Sequence, residues 1–222
     1  MKISKSSFQF LKELKANNDR DWFNAHKDQY MMAKDEFDAF INALIAEISK
    51  FDPSIAHFTA KDCVFRIYRD VRFSKDKSPY KTHFGAHITS APKKSEIHTR
   101  AGYYIHIEPG ASMLAGGAYL PESKWLRAIR EKIFNETNEF KKIINNATFR
   151  KYFGTVEGEK LQRAPKDFPP DHPEIELLKQ KSFLATHNMN DETVLDSDFL
   201  KYGARAFKSL YPFDAFLNSA NS

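Results

Sequence analysis

The apolar residues of this chain change their spacing twice, and those two changes restrict its fold more than any other feature. Up to about residue 50 they recur at steps of three and four: Phe8, Leu11 and Leu14, then Tyr30, Ala33, Phe37, Phe40, Ile41, Leu44 and Ile48. An α-helix completes a turn in 3.6 residues, so these positions fall on one stripe and predict two helices. Ser6 or Ser7 is expected to cap the first, and Asn17-Asn18-Asp19 to end it. Asp21 or Asn24 is expected to cap the second, which ends before Pro53.

From Cys63 to about Ala118 the spacing drops to two. Cys63, Phe65, Ile67, Val71 and Phe73 alternate with Arg66, Tyr68, Asp70 and Arg72, and Arg69 interrupts the apolar set. Phe84, Ala86 and Ile88 alternate with His83, Gly85, His87 and Thr89, and Tyr103, Ile105 and Ile107 with Tyr104, His106 and Glu108. Successive strand side chains point to opposite faces, so each run predicts a strand with one apolar and one polar face. Pro109-Gly110 marks a turn, and SMLAGGAY a further strand with Gly116-Gly117 at a bulge or a close approach.

Helical spacing then returns. Pro121 is placed as a first-turn proline ahead of Trp125, Leu126, Ile129 and Ile133, and a segment starting near Asn135 carries Phe140, Ile143 and Ile144. The proline-rich stretch 163–170 predicts extended chain, followed by a short helix over 174–179, a strand over 183–187 and a last helix from Phe199 to Tyr211-Pro212. Helices, then strands, then helices predict an α+β fold, with N- and C-terminal helices covering one face of an antiparallel sheet. No repeat or linker divides residues 1–222, so a single α+β domain is expected.

The apolar fraction of 41% and the twenty phenylalanines exclude a disordered chain. A single cysteine, Cys63, excludes an intrachain disulfide, and its apolar setting predicts a buried, inert thiol. No signal peptide or membrane-spanning run is visible, which predicts a soluble cytoplasmic protein without a membrane partner.

Charge is concentrated in RIYRDVRFSKDKSPYKTH, residues 66–83. Six basic residues there (Arg66, Arg69, Arg72, Lys75, Lys77, Lys81) face two acids (Asp70, Asp76) and supply +4 of the formal +5. Near neutrality elsewhere argues against a long track of phosphate contacts, so nucleic acid is the weaker partner reading and a small anion the stronger. Neither a phosphate-binding GxxxxGK[ST] loop nor a GxGxxG turn is present.

The polar strand face gathers residues suited to a cleft. Arg66, Arg69 and Arg72 are expected to hold a phosphate or carboxylate by forked hydrogen bonds, with Lys77, Lys81, His83, Tyr80 and Tyr104 around it. His106 with Glu108 or Asp70 is expected to move any proton. Arg69 is either rotated outward by a bulge at Arg69-Asp70 or, the favoured reading, buried or half-buried and paired, most simply with an acid from a helix. His83-x3-His87 and His106-x-Glu108 would suit a metal, yet alternation alone gives no distinctive spacing; hydrogen-bonded histidines are preferred and no metal is assigned. An internal ion-pair network in a structural or interaction module is the third reading of the cluster.

Four blocks, NNDRDWFNAHKDQY, FRIYRDVRFSKDKSPYKTHFG, GYYIHIEPGASMLAGGAYLP and LQRAPKDFPPDHPEIELLKQKSF, resemble the bacterial and fungal family called domain of unknown function 2461. The resemblance implies one domain over nearly the full length. It implies no reaction, cofactor or catalytic residue, so the cofactor, ligand identity and oligomeric state stay open.

Overall fold

The computed structural model describes residues 1–91 and 96–220. In chain order the helices are α1 (Lys5–Ala16), α2 (Arg20–Ala25), α3 (Lys27–Ile48), α4 (Ala60–Cys63), α5 (Ser123–Asn135), α6 (Thr137–Ile144), α7 (Ala147–Phe153), α8 (Ile175–Leu178), α9 (Asp191–Leu195) and α10 (Phe199–Ser219). The strands are β1 (Phe84–Ile88), β2 (Gly102–Ile107), β3 (Ser112–Ala118) and β4 (Phe183–Met189), in one antiparallel sheet of order β1-β2-β3-β4. The α+β expectation holds, with N- and C-terminal helices packed on the sheet. Among the described residues no helix is long and apolar enough to cross a membrane.

Contacts divide the chain into two compact units. Unit 1 holds residues 1–88, 104–114 and 188–205; unit 2 holds 89–103, 115–187 and 206–222. In unit 1 the apolar stripe of α3 (Phe37, Phe40, Ile41, Leu44, Ile48) is buried, with Phe37 stacked on Phe84 of β1 at 5.4 Å. Burying each such side chain contributes about 1.5–3 kcal/mol. In unit 2, Phe207 of α10 packs edge-on against Tyr103 of β2. Gly116 and Gly117 mark the expected close approach. A Cβ on Gly116 would lie 2.7 Å from the Gly102 carbonyl oxygen, and one on Gly117 (φ +109°) would lie 2.0 Å from that of Phe183.

Several local expectations are corrected. Ser4, one turn before Ser7, caps α1 by accepting from the Ser7 N–H, and Asp19 caps the short α2 that precedes α3. Cys63 closes a helical turn and does not open a strand. Residues 64–82 form no strand of the sheet: ladder pairing there is confined to isolated bridges, Val64 with Ala86 and Tyr68 with Tyr80. Pro79, which has no N–H, sits in the return and cannot donate to a ladder. Pro121 lies just outside α5, ahead of the capping position at Glu122.

Helix α10 continues through Pro212. An internal proline costs about 3 kcal/mol. Phe213, Phe216 and Leu217 beyond it are all buried, and at about 1.5–3 kcal/mol each they offset that cost. Helix α7, capped by Asn146, had no clear stripe to announce it.

Candidate functional site on the polar strand face

Three residues of the β2 segment, Tyr104, His106 and Glu108, alternate onto one face in unit 1 and form a chain of contacts. The Tyr104 hydroxyl lies 3.0 Å from His106 Nδ1, and His106 Nε2 lies 3.1 Å from Glu108 Oε2. The other carboxylate oxygen, Oε1, accepts from Thr82 Oγ1 at 2.9 Å and from Lys15 Nζ at 3.1 Å. Pro109 follows Glu108, and the Ser112 hydroxyl both accepts from the Glu108 N–H and donates to its carbonyl, so the end of β2 is held locally. From the segment directly before β1, the His83 ring stacks on His106 with centroids 4.0 Å apart.

Gly85 makes the Tyr104 contact possible. A Cβ there would sit 3.1 Å from the Tyr104 hydroxyl and 3.7 Å from His83 Cδ2, tight enough to move the hydroxyl. The cluster is largely shielded, with His106 only 8% exposed and the Glu108 side chain 14% exposed. Its ligand-type atoms on His83, His106 and Glu108 all lie within 4.8 Å of one another. His87, the other half of the sequence pair, is outside that group.

Burial governs the electrostatics. It pushes the His83 imidazolium down to about 4, with the neighbouring His106 adding to the effect, Glu108 opposing it and Lys81 adding slightly. The same burial raises the Tyr104 phenol to about 12, reinforced by Glu108. For Glu108, burial opposes ionisation, but hydrogen bonds from His106, Thr82 and Lys15 outweigh it and hold the carboxyl below its usual range. The resting site therefore contains a carboxylate, a neutral His83 and an un-ionised Tyr104. Neither ring nitrogen of His83 has a hydrogen-bond partner among the described residues.

The basic block does not behave as one surface. Arg72 grips Asp70 through two nitrogens, at 3.0 and 2.6 Å, and both side chains are exposed. Arg69 is half-buried and paired as favoured, but its partner is Asp76 of the same loop and not a helix acid. Lys77 donates to the Val71 carbonyl and closes that loop. Tyr80 is no cleft residue: it is 4% exposed and stacked on Phe23 at 3.9 Å, with its backbone bonded to Asn18. Among the described residues no contact joins Arg69, Asp70 or Arg72 to His106.

Lys81 differs from the other basic residues. It is half-buried, its ammonium lies 5.3 Å from the centre of the Phe65 ring, and no carboxylate pairs with it among the described residues. Burial lowers its pKa, and the nearby charge of Arg66, itself without an ion pair there, lowers it further. Lys15 and Thr82 were not anticipated. Thr82 adjoins a flagged lysine, whereas Lys15 lies 93 residues from Glu108 and nothing local connects them.

These elements define an α+β protein whose sheet carries a shielded histidine, carboxylate and tyrosine cluster on its polar face. Over residues 6–216 the chain matches the family described as Conserved hypothetical protein (DUF2461), and it belongs to that family. Comparisons with curated proteins and with solved structures give no match.

Proposed function

We propose that the protein binds a small phosphate- or carboxylate-bearing molecule beside the Tyr104, His106 and Glu108 chain, with Lys81 and Arg66 as the cationic contacts. Lys81 is the observation that carries this reading. A half-buried ammonium without a carboxylate partner is costly, and a bound anion offsets that cost. Arg69 and Arg72 already satisfy loop acids and are not needed. In the tautomer that donates Nε2–H to Glu108, His106 accepts at Nδ1 from the Tyr104 hydroxyl, whose oxygen is then oriented toward a ligand. Glu108 holds that tautomer, and the relay supplies the acid and base groups for any proton transfer.

Calorimetric titration with inorganic phosphate tests the reading. Wild-type protein should bind, Lys81→Met should weaken binding by about 10-fold or more, and Lys75→Met in the exposed loop should leave it unchanged. Absence of binding, or equal binding by wild type and Lys81→Met, would overturn the proposal.

Phe73 favours a second reading. It is 96% exposed, with the Arg72 guanidinium 5.8 Å from its ring centre and Lys75 and Lys77 close in sequence. An exposed ring among cations suits stacking on a single-stranded nucleic acid. That partner requires salt-sensitive binding that Phe73→Ala weakens; salt-independent or absent binding to single-stranded oligonucleotides rejects it.

A further inference from the structure

We infer that His83, His106 and Glu108 bind a zinc-class divalent cation, and that a remaining coordination position takes the phosphate or carboxylate of the ligand proposed above; this second clause rests on that reading. Three donors of the right chemistry converge: two imidazoles and one carboxylate, the set that suits zinc and related ions. Around a tetrahedral ion at 2.0–2.1 Å, donor atoms stand about 3.4 Å apart. Here His106 Nε2 and Glu108 Oε2 are 3.1 Å apart, and all three donor sets lie within 4.8 Å. The His83 ring is stacked on His106 with 28° between the ring planes, so it must swing out of the stack for both imidazole lone pairs to meet one ion.

The surroundings are arranged for ligation as well as for hydrogen bonding. Thr82 and Lys15 both occupy Glu108 Oε1, which leaves Oε2 as the single coordinating oxygen. Tyr104 lies at His106 Nδ1, the position of an outer partner that fixes ring orientation. On metal binding His106 exchanges tautomers: Nδ1–H donates to the Tyr104 oxygen, and Nε2 turns its lone pair to the ion. His83 brings a ring nitrogen with no competing hydrogen bond among the described residues. Three protein ligands leave a position open, as in sites that bind water or substrate. Lys81 and Arg66 then favour an anion as the added ligand.

The test uses the full chain stripped with EDTA, titrated calorimetrically with Zn²⁺ and followed in parallel by visible absorption with Co²⁺. One equivalent should bind with micromolar or tighter Kd, and the cobalt complex should show the intense bands of a four- or five-coordinate ion. His83→Gln and Glu108→Gln should weaken binding by more than about 100-fold, and Tyr104→Phe, which leaves every ligand in place, by about 10–100-fold. No zinc binding by wild type, or equal binding by the ligand variants, overturns the inference. Phosphate should bind the zinc-loaded chain more tightly than the stripped chain and shift the cobalt spectrum. If zinc binds and phosphate does not, the anion reading fails and the metal site stands. Conversely, phosphate binding through Lys81 without zinc binding leaves the anion reading and removes the metal.

Discussion

Acid should weaken the protein through His83, and the size of the effect follows from its surroundings. Its pKa falls from 6.5 to about 4 on folding because burial and the stacked His106 disfavour the imidazolium. Between those values the unfolded chain binds more protons than the folded one, so stability falls as pH drops from 6.5 toward 4 and is fully present above that window. At about 1.4 kcal/mol per unit the limiting loss is about 3 kcal/mol, and partial exposure of the ring reduces it to about 2 kcal/mol. Urea unfolding in EDTA, from about pH 7 to pH 4.5, would compare wild type with His83→Gln. His187, whose pKa is also lowered by burial, contributes to both proteins and drops out of the difference. The wild type should lose about 2 kcal/mol more than the variant. Parallel pH profiles would refute the burial of a neutral His83 against His106.

Gly117→Ala should destabilise by about 3–5 kcal/mol, because positive φ adds strain and the new Cβ would meet the Phe183 carbonyl at 2.0 Å; a shift in urea midpoint equivalent to less than about 1 kcal/mol would contradict the close approach. Gly85→Ala should fold with a small loss of stability, yet displace the Tyr104 hydroxyl from His106 and weaken zinc binding about as much as Tyr104→Phe does. Lys81→Met should raise stability by about 0.5–2 kcal/mol while losing phosphate binding, since it removes a half-buried, unpaired charge; destabilisation in urea unfolding would show that the ammonium is structurally satisfied.

Much of the sheet was legible because Phe84, Ala86 and Ile88, and Tyr103, Ile105 and Ile107, alternate cleanly with polar partners. The same alternation placed Tyr104, His106 and Glu108 on one face, which is the core of the site. It misled over 64–73, where the pattern continues but ladder pairing does not. There the chain needs a regular partner strand, and the return through Ser78-Pro79 offers only isolated bridges. The arginines consequently looked like neighbours of the histidines, whereas Arg69 and Arg72 are spent on loop acids. Tyr80 was placed around the anion, but Phe23 claims its ring. Lys15, on a helix distant in sequence, could be brought to Glu108 only by the tertiary fold. Pro212 was read as a helix stop because local geometry says so, and burial of the next turn overrides it.

The proposed anion would bind beside His83 and His106. Histidine-selective nitrogen NMR of the full chain, titrated with inorganic phosphate, tests it most directly. The ring signals of His83 and His106 should shift with saturation, those of His57, His172 and His187 should stay in place, and Lys81→Met should abolish the shifts. Unmoved His83 and His106 signals at millimolar phosphate, or shifts that survive Lys81→Met, would contradict it.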